Sequence, residues 1–272
     1  MEGQIVKIIS NDYFVKTNNN EYICKARGKF RQENITPKVG DFCLFDEKEK
    51  VIKEIKPRIN TLSRPLVSNI NQAFIVTSLK NPDFSSNLLD KLICICNLNN
   101  IEPIICLTKK DLLTKSEYKD LKKIINYYKK LCIKVVYNNN INKIKKLLKH
   151  KTTVFTGQTG AGKSSLMNKL DKSLNFETNE ISKALGRGKH TTRTVSLVEI
   201  NNGKVLDTPG FSDIDLSVYK KEDIRDSFKE FKNKCKYTNC MHINEKECVV
   251  KELVNKNIIL KSRYENYIKF IK

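Results

Sequence analysis

Of the 272 residues none is tryptophan, three are histidine, six are proline and ten are glycine. No stretch approaches the roughly 20 apolar residues of a membrane-spanning helix, which excludes that mode of insertion. No secretory signal peptide opens the chain, so its nine cysteines are expected as thiols of a reducing compartment rather than as disulfides. A cytoplasmic protein with no membrane partner is the expectation. No internal repeat is evident, which excludes a repeat architecture. Acidic side chains are also short: 30 Asp and Glu face 51 Lys and Arg, for a net charge of +21. Such an excess suits a polyanionic partner.

The positive charge is unevenly spread. Residues 115–151 hold twelve lysines against Glu117 and Asp120. Phosphate contacts are one use for such a face, and binding of that kind weakens steeply with salt. A chain rich in Lys, Asn and Ile also has a compositional explanation, and lysine is the ordinary residue of a solvated helix face.

Three of the ten glycines fall in Gly157-Gln158-Thr159-Gly160-Ala161-Gly162-Lys163-Ser164. This fits the phosphate-loop pattern, whose backbone N–H groups close around phosphate oxygens. The β-prone run 152–156 precedes it. The helical run from Ser165 to Leu170 comes after it and adds the positive end of its dipole. Lys163 is expected at the β and γ phosphates, and the Ser164 hydroxyl at Mg²⁺.

Upstream stands Thr108-Lys109-Lys110-Asp111, after the apolar strand-like run 101–107. Ligands sit beyond the carboxyl ends of such strands. A carboxylate at Asp111 accepts from both N1–H and the N2 amino group of guanine, a pair that adenine lacks. The Lys109 stem would lie along the base. Many GTPases have Asn where this chain has Thr108, which leaves one supporting hydrogen bond open. Ordinary GTPases also carry the phosphate loop before the guanine motif. The inverted order therefore implies a circularly permuted GTPase. Asp111 argues against the rival ATP-using enzyme, and measured turnover would separate an enzyme from a binding module with a merely structural nucleotide.

Asp207-Thr208-Pro209-Gly210 comes after another strand-like run, 203–206. Asp207 is expected to hold Mg²⁺ through water and the Gly210 N–H to touch the γ-phosphate, making 207–215 a switch. Between the two lies the basic loop 186–193. Thr191 or Thr192 would supply the second Mg²⁺ hydroxyl, with Thr192 preferred. A Ras-like enzyme positions its attacking water with Gln just after the glycine, but this chain has Phe211 and Ser212. His190 is the candidate to orient water, the plainer role being contact with phosphate or solvent. Slow unassisted turnover is expected.

The carboxyl-terminal pattern is Cys235-x₄-Cys240-x-His242-x₅-Cys248. Three thiolates and an imidazole so closely spaced form a closed tetrahedral zinc set, structural because no position is left for substrate. Cys24, Cys43, Cys94, Cys96, Cys106 and Cys132 lie in apolar runs and read as buried small hydrophobes.

Short β-like segments at Gly3–Ile9, Asp12–Thr17, Glu21–Arg27, Val39–Phe45 and Val51–Ile55 suggest a five-stranded OB-type barrel over residues 1–68. Its basic loop carries Arg27, Lys29 and Arg31. Residues 59–66 read as a linker. Over 69–220 apolar strands alternate with helices, Ser86–Leu98 and Glu117–Leu131 among them, as in a doubly wound α/β domain. Residues 221–272 form a mainly helical zinc module that ends in a helix over 255–271.

Barrel, permuted GTPase and Cys₃His module in that order resemble the RsgA (YjeQ) family of ribosome small-subunit biogenesis GTPases. The resemblance spans nearly the whole chain. It includes Lys25-Ala26-Arg27-Gly28-Lys29, Val39-Gly40-Asp41, Arg64-Pro65, Asn69-Ile70-Asn71-Gln72, Asn87-Leu88-Leu89-Asp90 and Gly186-Arg187-Gly188-Lys189-His190-Thr191-Thr192. It implies GTP hydrolysis to GDP and phosphate, stimulated by the small ribosomal subunit, during late maturation of that subunit. It also implies rRNA contacts through the barrel and the zinc module. A monomer using GTP, Mg²⁺ and one structural Zn²⁺ is expected. One departure concerns the base site. Where a Ser-Ala-type segment would come after the run 133–136, the chain reads Tyr137-Asn138-Asn139-Asn140.

Overall fold

A computed structural model describes residues 1–28, 30, 34–62, 65–172, 195–206, 215–232 and 235–272. Strands β1 (Glu2–Ile9), β2 (Asp12–Lys16), β3 (Glu21–Ala26), β4 (Phe42–Asp46) and β5 (Val51–Ile55) close a barrel in the order β1-β2-β3-β5-β4. Every seam is antiparallel except β3 with β5, which run parallel. Alternation sends Ile5, Val15, Cys24, Cys43, Phe45 and Ile52 inward, one side of each pleat filling the barrel.

The Val39-Gly40-Asp41 turn fastens this barrel to the central domain. Asp41 is fully buried and accepts from Arg58 Nε and Nη2 at 2.7 Å each, from Ser68 Oγ at 2.5 Å and from the Lys38 N–H at 2.7 Å. Gly40 has φ +97°, and a Cβ there would lie 2.1 Å from the Ser68 carbonyl oxygen, so only glycine lets the backbones approach. The expected linker contains a small hairpin, β6 (Thr61–Leu62) with β7 (Val67–Ser68). Gln4, also buried, donates to the Gly40 carbonyl and accepts from Lys204 of the central domain.

The central sheet comprises β8 (Gln72–Ser78), β9 (Glu102–Thr108), β10 (Lys134–Tyr137), β11 (Thr152–Gly157), β12 (Leu197–Ile200) and β13 (Gly203–Leu206). Their order is β10-β9-β8-β11-β13-β12, parallel except for the edge strand β12. Thus β11 sits centrally. Strands earlier in the chain fan out on one side of it and later ones on the other, which is the permutation expressed as topology.

Period-2 alternation divides β8 between two cores. Ala73 and Ile75 face a cluster that includes helices α1 (Ser86–Leu98) and α2 (Lys115–Lys130). Phe74 and Val76 face one that includes α3 (Ile141–Leu148) and α4 (Lys163–Leu170). Burial on both faces explains why the parallel strands read as continuous apolar runs. Helix α2 starts at Lys115, two residues before the sequence reading, because Thr114 and Glu117 form a capping box. Helices α2 and α3 flank edge strand β10, where Lys134 also blunts the open sheet edge. Of the six cysteines outside the metal set, Cys132 is exposed rather than buried, because it sits at φ +60° in the turn between α2 and β10; the other five are buried.

Beyond the sheet lie α5 (Lys221–Ser227), α6 (Val249–Asn255) and α7 (Lys261–Phe270). The single helix expected over 255–271 is corrected here: it begins at Lys261. The chain turns over residues 256–260, with Asn257 at φ +56°, and only then resumes a helical path. Among the described residues no helix is long and apolar enough to cross a membrane.

A buried charge network joins this module to α1. Arg263, 2% exposed, donates through Nη1 to Asp90 Oδ1 at 2.6 Å and through Nε to Glu230. Asp90 also accepts from Tyr128 Oη and Asn266 Nδ2, both at 2.7 Å, so its four bonding positions are largely filled. The guanidinium lies 4.5 Å from the Phe228 ring centroid. Arg263→Ala would leave two carboxylates without their cation. Urea denaturation should show a loss of about 3–5 kcal/mol, and a loss below about 1 kcal/mol would mean that solvent reaches the pair.

Candidate functional site

The phosphate loop leaves β11 at Gly157, where φ is +132° and a Cβ would stand 2.1 Å from the Val76 carbonyl oxygen. Glycine therefore sets the direction of the loop by allowing β11 to end hard against β8. Gly160 and Gly162 also have positive φ, and Gly162 opens α4 with no side chain capping it. The first N–H groups of that helix thus have no cap from their own N-cap residue, the arrangement an incoming phosphate needs. Ala161 is buried, whereas Thr159, Gly160 and Ser165 are exposed and Gln158 and Ser164 half-buried.

Lys163 reaches back over the loop. Its Nζ donates to the carbonyl oxygens of Gly157 at 2.9 Å and Gln158 at 2.8 Å. An ammonium has three donors, so one remains for phosphate. Desolvation by burial lowers the Lys163 pKa, and among the described residues no carboxylate contributes to its shift. An anion is the partner that would relieve this.

The guanine-type motif lies across β8 from the loop, at the same sheet edge. In β9, Thr108 pairs with Ser78 of β8, while Gly157 pairs with Val76. The bond left open in the sequence is made by the hydroxyl. Thr108 is 1% exposed and its Oγ1 donates to the Ala161 carbonyl oxygen at 2.8 Å, joining motif to phosphate loop directly. Lys109 adopts φ +56°, and its Nζ donates to the Asn81 carbonyl oxygen. Asp111 stands exposed in the 3₁₀ turn Lys110–Leu112. The Lys110 ammonium is directed at aromatic rings, 4.4 Å from the Tyr118 centroid. His190, Thr191, Thr192, Asp207, Gly210, Phe211 and Ser212 lie outside the described residues, as do Lys29 and Arg31 of the barrel loop.

Two stretches thus meet across β8 in reverse chain order, the arrangement of a circularly permuted GTPase. A family model described as the RsgA GTPase matches residues 55–217, and one described as the RsgA N-terminal domain matches residues 2–51. The chain belongs to the RsgA family. It is a GTPase.

The RsgA relatives extend along the full chain. Small ribosomal subunit biogenesis GTPase RsgA 2 of Oceanobacillus iheyensis is 44% identical, with 99% of this chain and 96% of the relative covered. Small ribosomal subunit biogenesis GTPase RsgA of Clostridium novyi is 46% identical at the same coverage. Among solved structures, YloQ, a circularly permuted GTPase, superposes with a TM-score of 0.84 at 32% identity, covering 99% of this chain and 93% of that one. YjeQ from Thermotoga maritima gives 0.85 at 32% identity, covering 99% and 96%.

The chain also brings together Cys235, Cys240, His242 and Cys248, whose donor atoms all lie within 4.8 Å of one another. His242 Nδ1 is 3.3 Å from Cys248 Sγ and 3.6 Å from Cys235 Sγ, and Cys240 Sγ is 3.8 Å from Cys248 Sγ. Zn–S bonds of about 2.3 Å in a tetrahedron put sulfurs roughly 3.8 Å apart, so the set fits a zinc ion. Burial raises the Cys240 thiol pKa and lowers that of His242; a divalent cation would displace the thiol proton and take the neutral imidazole as a ligand.

Sequence reading missed what holds this loop. Tyr264 and Tyr267 of α7 donate to the carbonyl oxygens of His242 and Met241 at 2.6 Å each. Glu245 accepts from the Met241 and Ile243 N–H groups at 2.6 and 2.7 Å. The Phe231 ring meets His242 edge-on at 5.6 Å. The helical period of 261–270 signals a packed face but not these hydroxyl bonds.

Proposed function

We propose that this chain binds the small ribosomal subunit and hydrolyses GTP to GDP and phosphate during late maturation of that subunit. The observation that supports the nucleotide half is the Thr108–Ala161 hydrogen bond, which joins the motif of Asp111 to the phosphate loop. The ribosomal half rests on the relatives, described as small ribosomal subunit biogenesis GTPases.

In this reading Asp111 accepts from N1–H and N2 of guanine, the Lys109 stem lies along the base, and residues 157–165 cradle the phosphates. Lys163 neutralises charge developing on the β and γ oxygens, the largest contribution a phosphoryl-transfer site makes. Ser164 and Thr192 would hold Mg²⁺, with Asp207 acting through water, and the site would thereby supply charge neutralisation for the phosphates. The Gly210 N–H senses the γ-phosphate. His190 orients the attacking water, because Phe211 and Ser212 cannot.

Cys235, Cys240, His242 and Cys248 hold one structural Zn²⁺. The barrel (residues 1–68) and the zinc module (221–272) grip rRNA on either side of the GTPase domain (69–220). Phosphate loss releases the switches and lowers affinity for the particle. The protein works in the cytoplasm as a monomer.

The test is GTP hydrolysis with and without purified small subunits, run beside Lys163→Ala and His190→Ala. Turnover should rise by at least about 10²-fold with subunits, short of the roughly 10³–10⁵ that an arginine finger supplies. Lys163→Ala should be inactive in both arms, and His190→Ala should lose most of the stimulated rate in single turnover. A subunit-independent rate would remove the coupling from this scheme. So would equal affinity of the GDP and GTP-analogue forms for the particle.

A further inference from the structure

The turn that carries Asp111 is held by side chains from three separate elements. Lys110 directs its ammonium over two rings, 4.4 Å from the Tyr118 centroid and 5.3 Å from that of Tyr137. Tyr118 stands in the first turn of α2, and Tyr137 is the last residue of β10. The two phenol oxygens lie 2.8 Å apart, hydrogen-bonded to each other. A cation over aromatic faces is stabilised by the ring quadrupole, and the phenol bond locks the rings in that orientation. The residue after Tyr137 continues the attachment, since the Asn138 N–H donates to the Leu107 carbonyl oxygen at 3.0 Å, one residue before the motif.

The other side of the turn is fastened as well. Lys109 donates to the Asn81 carbonyl oxygen, and Glu117 accepts from Lys80 at 2.9 Å while closing the capping box with Thr114. Among the described residues Asp111 itself has no such support: it is exposed on a three-residue turn. A carboxylate that must accept two hydrogen bonds from one base edge loses most of its selectivity when misplaced by an ångström.

We propose that Tyr118 and Tyr137, closing on Lys110, are positioning residues for base selection that hold Asp111 in register with the guanine edge. This rests on the reading of Asp111 as the guanine contact and deepens it. The Tyr137-Asn138 end of β10, where the Ser-Ala-type segment is lacking, contributes an aromatic brace behind the base-reading turn. Selection among purines thus depends on α2 and β10 as well as on the motif. The phosphate side is held separately, through Thr108 and Ala161.

The experiment compares GTP with inosine triphosphate, which keeps N1–H and lacks the N2 amino group, in Tyr118→Ala, Tyr137→Ala, the double variant and Tyr118→Phe. Affinity comes from equilibrium titration and turnover from saturating GTP. The double variant should narrow the GTP-over-inosine-triphosphate preference about tenfold while saturated turnover stays within about twofold. Tyr118→Phe, which keeps the ring under Lys110, should restore most of the preference. An unchanged preference in folded variants overturns the inference. So does a fall in turnover with the preference intact, the mark of a general structural role. Tyr118 is only half-buried, so its single variant carries the test if Tyr137→Ala does not fold. Asp111→Asn is the control: if it fails to alter base preference, the guanine reading fails and takes this inference with it. If it alters preference while the tyrosine variants are silent, this inference alone fails.

Discussion

Asp111→Asn should convert a guanosine-selective site into a xanthosine-selective one. On the proposed reading the carboxylate accepts from two donors on the guanine edge; an amide keeps one acceptor oxygen, turns its NH₂ toward the N2 amino group and loses the charge. Hydrogen bonds to a charged partner contribute about 1.5–3 kcal/mol each, so with one lost and the other made neutral GTP affinity should fall by at least roughly 10–10². Xanthosine triphosphate carries a carbonyl where guanine has the amino group, and the asparagine amide can donate to it. Equilibrium titration of wild type and variant against both nucleotides reads the inversion directly. Thr108 is unaltered by the substitution, and its bond to Ala161 keeps the phosphate loop in place. A variant that weakens both nucleotides equally would show that Asp111 supports the turn without reading the base.

Metal removal should have the second large effect, confined at first to the carboxyl-terminal module. Structural zinc contributes about 10–16 kcal/mol in zinc-finger peptides, against a whole-domain stability of about 5–15 kcal/mol. Residues 235–248, all of them described, contain no strand and no helix, so the four proposed ligands would be the main closure of the loop beside the Tyr264, Tyr267 and Glu245 bonds. Chelation, or Cys240→Ser, should expose this loop to protease and free α6. The consequence spreads through two contacts. Tyr264 and Tyr267 bond the loop's carbonyl oxygens, and their helix carries Arg263, buried against Asp90 of α1. Thermal unfolding should therefore change from one transition to two, the earlier one absent when zinc is restored. Metal analysis showing no zinc in protein with an intact protease-resistant module would rule the site out as structural.

Legibility in the sequence falls with distance along the chain. The phosphate loop is one contiguous cage of backbone N–H groups, so its glycines and lysine identify it without a fold. The Cys₃His set spans few residues, and donors that close converge whatever surrounds them. The barrel strands, too, show their period in the chain itself. The terminal helix reads as starting too early for the same kind of reason. Its apolar period continues through 255–260 with no Gly or Pro to mark a stop, while the break at Asn257 is a backbone conformation and not a composition.

The contacts that join the parts were not legible. Thr108 meets Ala161 only because β9 and β11 flank β8, and no propensity reports which strands share a neighbour. Arg263 reads as one more surface cation in a chain with 51 Lys and Arg until α7 is laid against α1. The amino-acid order alone determined which chemistries this protein carries and that they belong to a permuted nucleotide-binding fold, because each is written in short-range spacing. Tertiary structure decided how those chemistries are joined: a hydroxyl linking the Thr108 motif to the phosphate loop, and a buried arginine linking the carboxyl-terminal module to helix α1. Both depend on side chains brought together from distant positions, and that proximity exists only once the core has packed.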